Sequence, residues 1–250
     1  MFSLNGKVAL VTGSSRGLGR GIAISLAQAG ADIVVNCVGN LTAANEVADI
    51  IRAMGRKALV IKADCGDAAQ VESMFAQIMD EFGRLDILVN NAGTSQDKDI
   101  FEMEYEDWDF IIKTNLTSGM LCSKQAMEIM RKQNHGRIIF ISSVVGERGA
   151  LFGHIHYAAT KSGQIGITKT LARTGAKHNI TVNAIAPGMM KTELFIQTHG
   201  EDGAAELAKT VPLGLGTIED VGAAAVYLAS DEASYVTGAT LDVNGGANFR

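Results

Sequence analysis

Tyr157 and Lys161 stand four residues apart in GHIHYAATKSG, with small residues between them. On a helix, positions i and i+4 share a face with Cβ atoms about 5–6 Å apart, so the ammonium can lie beside the phenol or whatever the phenol touches. A free phenol, with a pKa of about 10, exchanges protons poorly near neutral pH. A nearby cation favours its ionised form and makes it a candidate general acid and base. The same spacing also suits a solvated surface pair, and the two residues alone do not separate these readings. Glycine-bearing turns suggest a second chemistry. TGSSRGLG sets Gly13, Gly17 and Gly19 between an apolar run and a helical stretch, while NNAG (90–93) and APG (186–188) each close an apolar run. A glycine-rich strand-to-helix turn lets a pyrophosphate approach backbone N–H groups and the helix N-terminus. The first turn lacks the G-x-G-x-x-G spacing, and a tight corner alone would also explain its glycines. All three turns nevertheless lie at strand ends, where open α/β sheets bind ligands.

Positioning these groups requires strands that end on one edge. Apolar strand-like runs occur at 7–12, 31–37, 57–64, 85–93, 136–143 and 179–188, with a last one near ATLDVNGG. Helical stretches separate them: one ends at Gly30, others cover about 42–54 and 67–82, a long region runs to about 132, and two more cover about 157–175 and 218–229. Strands buried on both faces and joined by such helices indicate an α/β fold. The expected architecture is a single-domain, doubly wound (Rossmann) parallel sheet of about seven strands with helices on both faces, spanning residues 1–250. With 47% hydrophobic and 20% charged residues the chain can bury a large core. A net charge of -5 gives no electrostatic case for nucleic acid or an anionic membrane as partner. No apolar run approaches the ~18 residues of a membrane span. The N-terminus lacks a basic region and a signal cleavage site. Cys37, Cys65 and Cys122 are far apart, with no C-x-x-C, which points to a reducing compartment and a cytoplasmic location.

The ordered set is more telling than any single motif. Thr12 to Gly19, Asn90 to Gly93, Asn115 in KTNLTSG, Ser143 in ISSVVG, Tyr157 with Lys161, and the Pro-Gly of NAIAPGMMKT follow one another along the chain. Together they resemble the short-chain dehydrogenase/reductase family from residue 5 to about 246, most of all its bacterial 3-oxoacyl-[acyl-carrier-protein] reductases and related sugar and steroid dehydrogenases. The resemblance implies that Tyr157 is the general acid in reduction and the base in oxidation. Lys161 would steady the phenolate and hold the nicotinamide ribose. Ser143 would bond the substrate oxygen, and Asn115 would hold a water in a proton relay behind the lysine. Ser142 should face away, because successive strand residues alternate. The resemblance also assigns cofactor contacts to Gly13, Ser15, Arg16, Gly17, Leu18 and Gly19 in the first turn, and to Asn91, Ala92 and Gly93 in the second. Pro187, Gly188, Met190 and Thr192 fall near the nicotinamide. Asp64 resembles the residue that meets the adenine amino group, with Cys65 beside it.

The nucleotide choice rests on the end of the second strand, where an Asp or Glu normally selects NAD. That position is Cys37, flanked by Asn36 and Val38, none of them acidic. Arg16 can face a 2′-phosphate, so NADP(H) is expected and NAD(H) is the alternative. The resemblance places residues 189–216 where family members have a mobile substrate lid, and Met189, Met190, Leu194 and Phe195 suit a medium-sized, partly apolar carbonyl or alcohol. Val145, His154 and Gly188 join Ser143 and Tyr157 around the substrate, and His156 is a further candidate for the wall. A histidine metal site lacks a third ligand, and no metal is expected. Docking of an acyl-carrier protein stays open: Asn134 and His178 stand where carrier-protein reductases present basic residues, and Thr174 and Gly175 also depart from the pattern. The resemblance further implies a homotetramer built on the helices at about 104–132 and 157–175. Met120, Leu121, Met127, Ile129, Met130, Ile165, Ile167 and Leu171 suit that role, although one broad core-facing stripe reads the same way. A dinucleotide-binding sensor without turnover is the other class of function; such proteins commonly lose the tyrosine or lysine, and this chain has both.

Overall fold

The apolar runs become seven strands: β1 (Val8–Val11), β2 (Asp32–Cys37), β3 (Ala58–Lys62), β4 (Ile87–Asn90), β5 (Gly136–Ile141), β6 (Ile180–Pro187) and β7 (Thr240–Val243). They form one sheet in the order β3-β2-β1-β4-β5-β6-β7, with every pairing parallel. The computed structural model describes residues 1–151 and 153–249, and all of their side chains except those of Leu194 and His199. The expected lid residue Leu194 is therefore outside the described side chains. Val11 pairs with Val35 on one side and with Val89 on the other, so the carboxyl ends of β1, β2 and β4 open side by side. Strand order reverses between β1 and β4, which creates the crevice where ligands of such sheets settle.

Side chains alternate between two cores. Ala9, Val11, Ile33, Val35, Val89 and Ile139 pack toward α1 (Gly17–Gln28), α2 (Leu41–Ala53) and α9 (Ile218–Ala229). Val8, Leu10, Val34, Leu88, Ile138 and Phe140 pack toward α3 (Ala68–Phe82) and α5 (Ser118–Gln133). Each large aliphatic or aromatic side chain fully buried here contributes roughly 1.5–3 kcal/mol relative to exposure.

Three local readings change. The long helical region does not follow directly on β4: residues 94–104 hold no helix, and α4 (Tyr105–Ile112) starts after a Glu104–Asp107 capping box. A π-helical turn (Lys113–Thr117) then separates α4 from α5. Residues 189–216, which show no apolar helical period, contain α8 (Glu193–Ala208), capped by Thr192 and broken at Gly200 with φ 69°. A short α6 (Val145–Arg148) precedes α7 (Ile155–Gly175), which begins two residues before Tyr157.

Candidate active site

A cleft of about 600 Å³ lies across the carboxyl ends of β1, β4, β5 and β6. Its floor on the β1 side is backbone. Thr12 Oγ1 accepts the N–H groups of Asn91 (3.0 Å) and Ala92 (2.9 Å), and Asn91 Nδ2 donates to the Thr12 carbonyl at 2.8 Å, so the first and second glycine turns are tied together. Gly13 adopts φ +62°, and a Cβ on Gly19 would stand 2.4 Å from Asn91 Nδ2 and 2.5 Å from the Gly13 carbonyl. Only glycine allows that approach. Arg16 is the N-cap of α1 but makes no side-chain cap, and the first turn carries no acidic residue. The α1 N–H groups therefore face the cleft with a positive helix end. These features fit the pyrophosphate of a dinucleotide. Asn36, buried at the end of β2, reinforces the turn: its Oδ1 accepts Gly13 N–H at 3.0 Å, and its Nδ2 donates to the carbonyls of Ile61 and Ala63.

The other wall carries side-chain chemistry. Tyr157 and Lys161 project from the first turns of α7, with Lys161 Nζ 5.4 Å from the centre of the Tyr157 ring. Nζ donates to the Ile141 carbonyl at 2.7 Å and to Gln164 Oε1 at 3.4 Å. Burial alone lowers the Lys161 ammonium from its ordinary range to about 8. The phenol moves the other way from the simplest expectation. Burial raises Tyr157, a hydrogen bond with Ser143 opposes the rise, and the lysine is not among the causes. Ser143 Oγ also accepts Val145 N–H at 3.1 Å, which holds the hydroxyl beside the phenol. Ser142, expected to face away, also borders the cleft, but its Oγ donates to the Lys161 carbonyl at 2.8 Å and so ties the end of β5 to α7.

Asn115 lies in the π-helical turn, fully buried. Its Oδ1 accepts Thr94 N–H and its Nδ2 donates to the Thr94 carbonyl, both at 2.8 Å, so the side chain straps the segment after NNAG. Its link to Lys161 runs through Gln164, whose Nε2 donates to the Asn115 carbonyl at 2.8 Å. Gln164 belongs to none of the sequence motifs; its signal in the sequence is a polar residue three positions after Lys161 on the same helix face.

Of the expected residues, Gly13, Arg16, Gly17, Leu18, Gly19, Asn91, Gly93, Ser143, Tyr157, Lys161, Pro187, Gly188, Met190 and Thr192 line the cleft. Ser15, Cys37, Asp64, Cys65, Ala92, Asn115, Val145 and His154 are outside that lining. Cys37 is 2% exposed and packs into the core, while Val38 beside it is 60% exposed. Asp64 Oδ1 accepts Gly66 N–H at 2.8 Å, and Cys65 Sγ meets Asn36 Oδ1 at 3.4 Å. His154, in the left-handed conformation at φ 56°, stands at the N-cap position of α7 without a side-chain cap; its Nδ1 meets Ser95 Oγ at 3.0 Å, and Ser95 does line the cleft. His156 is fully buried, with Nδ1 accepting Tyr157 N–H at 3.0 Å, so it belongs to the helix base and not to the substrate wall. Among the described residues no group of three or more His, Cys, Asp or Glu is placed to hold a metal.

A sequence profile described as Enoyl-(Acyl carrier protein) reductase matches residues 13–248. The chain is 44% identical over 245 residues to 3-oxoacyl-[acyl-carrier-protein] reductase FabG of Escherichia coli (strain K12), covering 98% of each chain. It is 41% identical over 241 residues to FabG of Staphylococcus aureus (strain Mu50), covering 96% of this chain and 97% of that one. Among solved structures, a short-chain type dehydrogenase/reductase from Mycobacterium marinum superposes with a TM-score of 0.93 at 35% identity, over 100% of this chain and 98% of that one. With near-complete coverage at these identities, the chain belongs to the short-chain dehydrogenase/reductase family, and it is an oxidoreductase that uses a nicotinamide nucleotide to interconvert carbonyl and alcohol groups.

Proposed function

We propose that the protein is an NADP(H)-dependent carbonyl reductase of the cytoplasm, with Tyr157 as proton donor in reduction and acceptor in oxidation. The observation that carries this reading is the convergence of Ser143, Tyr157 and Lys161 on one wall of a cleft whose opposite floor suits a pyrophosphate. The bound nucleotide supplies or takes the hydride. Ser143 orients the carbonyl oxygen and stabilises the charge that develops on it. The phenol, kept protonated by burial, donates its proton to that oxygen. The Lys161 ammonium, close to the ring face, offsets the phenolate left behind and offers a donor to the nicotinamide ribose. Gly13, Gly19 and the α1 N-terminus would hold the pyrophosphate. Arg16 is exposed at the cleft and in no ion pair among the described residues, and no carboxylate occupies positions 36–38. That combination favours a 2′-phosphate.

A second reading concerns the substrate. The FabG relatives are named for a 3-oxoacyl group on a carrier protein. Against transferring that substrate stand Asn134 and His178 at the matched basic positions, and the polar Ser95, Gln197 and Thr198 along the cleft. Self-association is part of the same proposal. The outer face of α5 and α7 forms a groove of about 740 Å³ lined by Met120, Met127, Ile167 and Leu171, which suits a second copy in a tetramer. The test is steady-state turnover with NADPH and NADH against small ketones and 3-oxoacyl thioesters, free and carrier-bound, with sedimentation of the same sample. Preference for NADPH and for unattached ketones is expected. No turnover of any carbonyl would overturn the enzyme reading, and a preference for NADH would overturn the nucleotide reading.

A further inference from the structure

Gln164 is a buried polar residue, 1% exposed, on the inward face of α7 one turn beyond Lys161. Both ends of its carboxamide are engaged. Nε2 donates to the Asn115 carbonyl at 2.8 Å, and Oε1 accepts from Lys161 Nζ at 3.4 Å. A buried amide needs such partners, but an aliphatic residue would fill the same space without burying a polar group. The partners are therefore the informative part. The Asn115 side chain holds both backbone groups of Thr94, on the cleft wall after NNAG. Gln164 thus joins that strap to the ammonium, and we propose that it is a positioning residue that aims Lys161 into the cleft.

The reasoning follows from donor count. An ammonium has three N–H groups. One goes to the Ile141 carbonyl and one to Gln164, on different elements. Two fixed acceptors set the direction of the third, and Lys161 borders the cleft. The carboxamide suits this post because it offers an acceptor to Lys161 and a donor to Asn115 at once. Leucine or methionine offers neither, and glutamate offers only acceptors, which would face the Asn115 carbonyl. The π-helical turn that holds Asn115 is the kind of local departure from α-helix that often marks functional sites.

Charges on the neighbouring elements do not compete. On α4, Asp107 pairs with Lys98 at 2.6 Å; on the π turn, Lys113 faces Asp64 at 3.9 Å. On α6, Glu147 accepts from Asn248 Nδ2, and Arg148 donates to the Ala247 carbonyl. The titratable group beside Nζ is the Tyr157 phenol on the same helix. The polarity at Gln164 should therefore tune the ammonium directly.

The inference rests on the reading of Lys161 as a cofactor ligand, and the experiment separates the two. NADPH binding to the free enzyme is measured by nucleotide fluorescence from pH 6 to 10 for the wild type, Gln164→Leu, Gln164→Met, Gln164→Glu and Lys161→Met. Affinity should fall as pH rises through the Lys161 ammonium, near about 8 in the wild type. The midpoint should move down by about one pH unit in the leucine and methionine variants, which lose an acceptor for the charged form. It should move up in the glutamate variant, which adds an opposite charge. A filler that merely packed would not move the midpoint in opposite directions. If one apolar variant fails to fold, the other and the glutamate variant still decide the outcome. Unchanged midpoints in the folded variants would overturn the role of Gln164. Survival of the wild-type pH dependence in Lys161→Met would instead overturn the reading of Lys161.

Discussion

The inward faces of α1 and α7 solve opposite problems on opposite sides of one cleft. α1 buries Gly19, Gly21, Ile22, Ala23, Leu26 and Ala27, so its contact with the sheet is small and apolar, and its N-terminus offers backbone to the cleft. α7 buries His156, Thr160, Lys161, Gln164, Thr168, Ala172 and Gly175, a stripe that is mostly polar. Each of these polar side chains from Thr160 to Thr168 has an internal partner: Thr160 Oγ1 donates to the Tyr157 carbonyl, Gln164 to Asn115, and Thr168 to the Gln164 carbonyl. The apolar residues Ile167 and Leu171 are pushed to the flank of α7, where they are only partly covered. A site that binds through main chain can rest on ordinary packing. One that moves a proton, as proposed for the α7 side, brings polar groups into the core and needs a hydrogen-bond network to hold them.

The sharpest way to break the α7 side is Tyr157→Phe, which keeps the ring and removes the hydroxyl. Turnover should fall by about 10²–10⁴-fold, the usual weight of a positioned acid or base. NADPH affinity, measured by fluorescence titration, should stay near wild type because the α1 side is untouched. Most of the wild-type rate surviving would remove Tyr157 from the chemistry.

Lys161→Met tests what the polar stripe costs the fold. The folded protein holds the ammonium at about 8, whereas an unfolded lysine stays protonated to about 10.4. Below pH 8 the native state thus carries a charge it would be more stable without, a penalty on the order of 3 kcal/mol that fades as pH rises toward about 10.4. The variant should lose turnover yet melt at a higher temperature than wild type at pH 7, with the gap narrowing by pH 10. A lower melting temperature at pH 7 would show that the bonds to Ile141 and Gln164 outweigh the burial of the charge.

On the α1 side the counterpart is Gly19→Ala. A methyl group 2.5 Å from the Gly13 carbonyl forces the turn apart. Destabilisation of about 1–3 kcal/mol is expected, from overpacking. Calorimetry and NADPH titration should both register the loss, while the α7 network stays intact. An alanine variant that binds NADPH as the wild type does would mean that the turn relaxes without consequence.

The same contrast explains what the sequence makes legible. Strand positions, the doubly wound order and the glycine turns follow from apolar runs and backbone needs, which local sequence states openly. Tyr157 and Lys161 were legible as candidates from residue type and spacing, and Ser143 only through the family resemblance. Gln164 and Asn36 were not, because each works through a partner far along the chain: Gln164 meets Asn115, and Asn36 meets Gly13 and Ala63. Cys37 illustrates the reverse. Its place at the end of β2 is readable, but the turning of its thiol into the core depends on packing by α1 and α2. In α8, no regular apolar stripe announces the helix, and the Thr192 cap, whose Oγ1 accepts Phe195 N–H at 3.1 Å, was its clearest local sign.

Arg16→Ala is expected to have the smallest effect, and it sharpens the comparison by asking whether the backbone side also reads its ligand through one side chain. Arg16 is exposed, extended at φ -156° and ψ 174°, and set at the start of α1 on the cleft rim. Its guanidinium can meet a phosphate with two parallel N–H groups. Exposure and salt weaken such a contact, so the lower end of the range for charged hydrogen bonds applies, about 1.5 kcal/mol, or roughly tenfold in affinity. The KM for NADPH should therefore rise by about tenfold at low salt and by less at high salt, with the KM for NADH within about twofold of wild type. Equal weakening for both nucleotides would place Arg16 at the shared pyrophosphate. Discrimination would then rest on the lack of a carboxylate at positions 36–38, and the α1 side would be a reader of backbone alone.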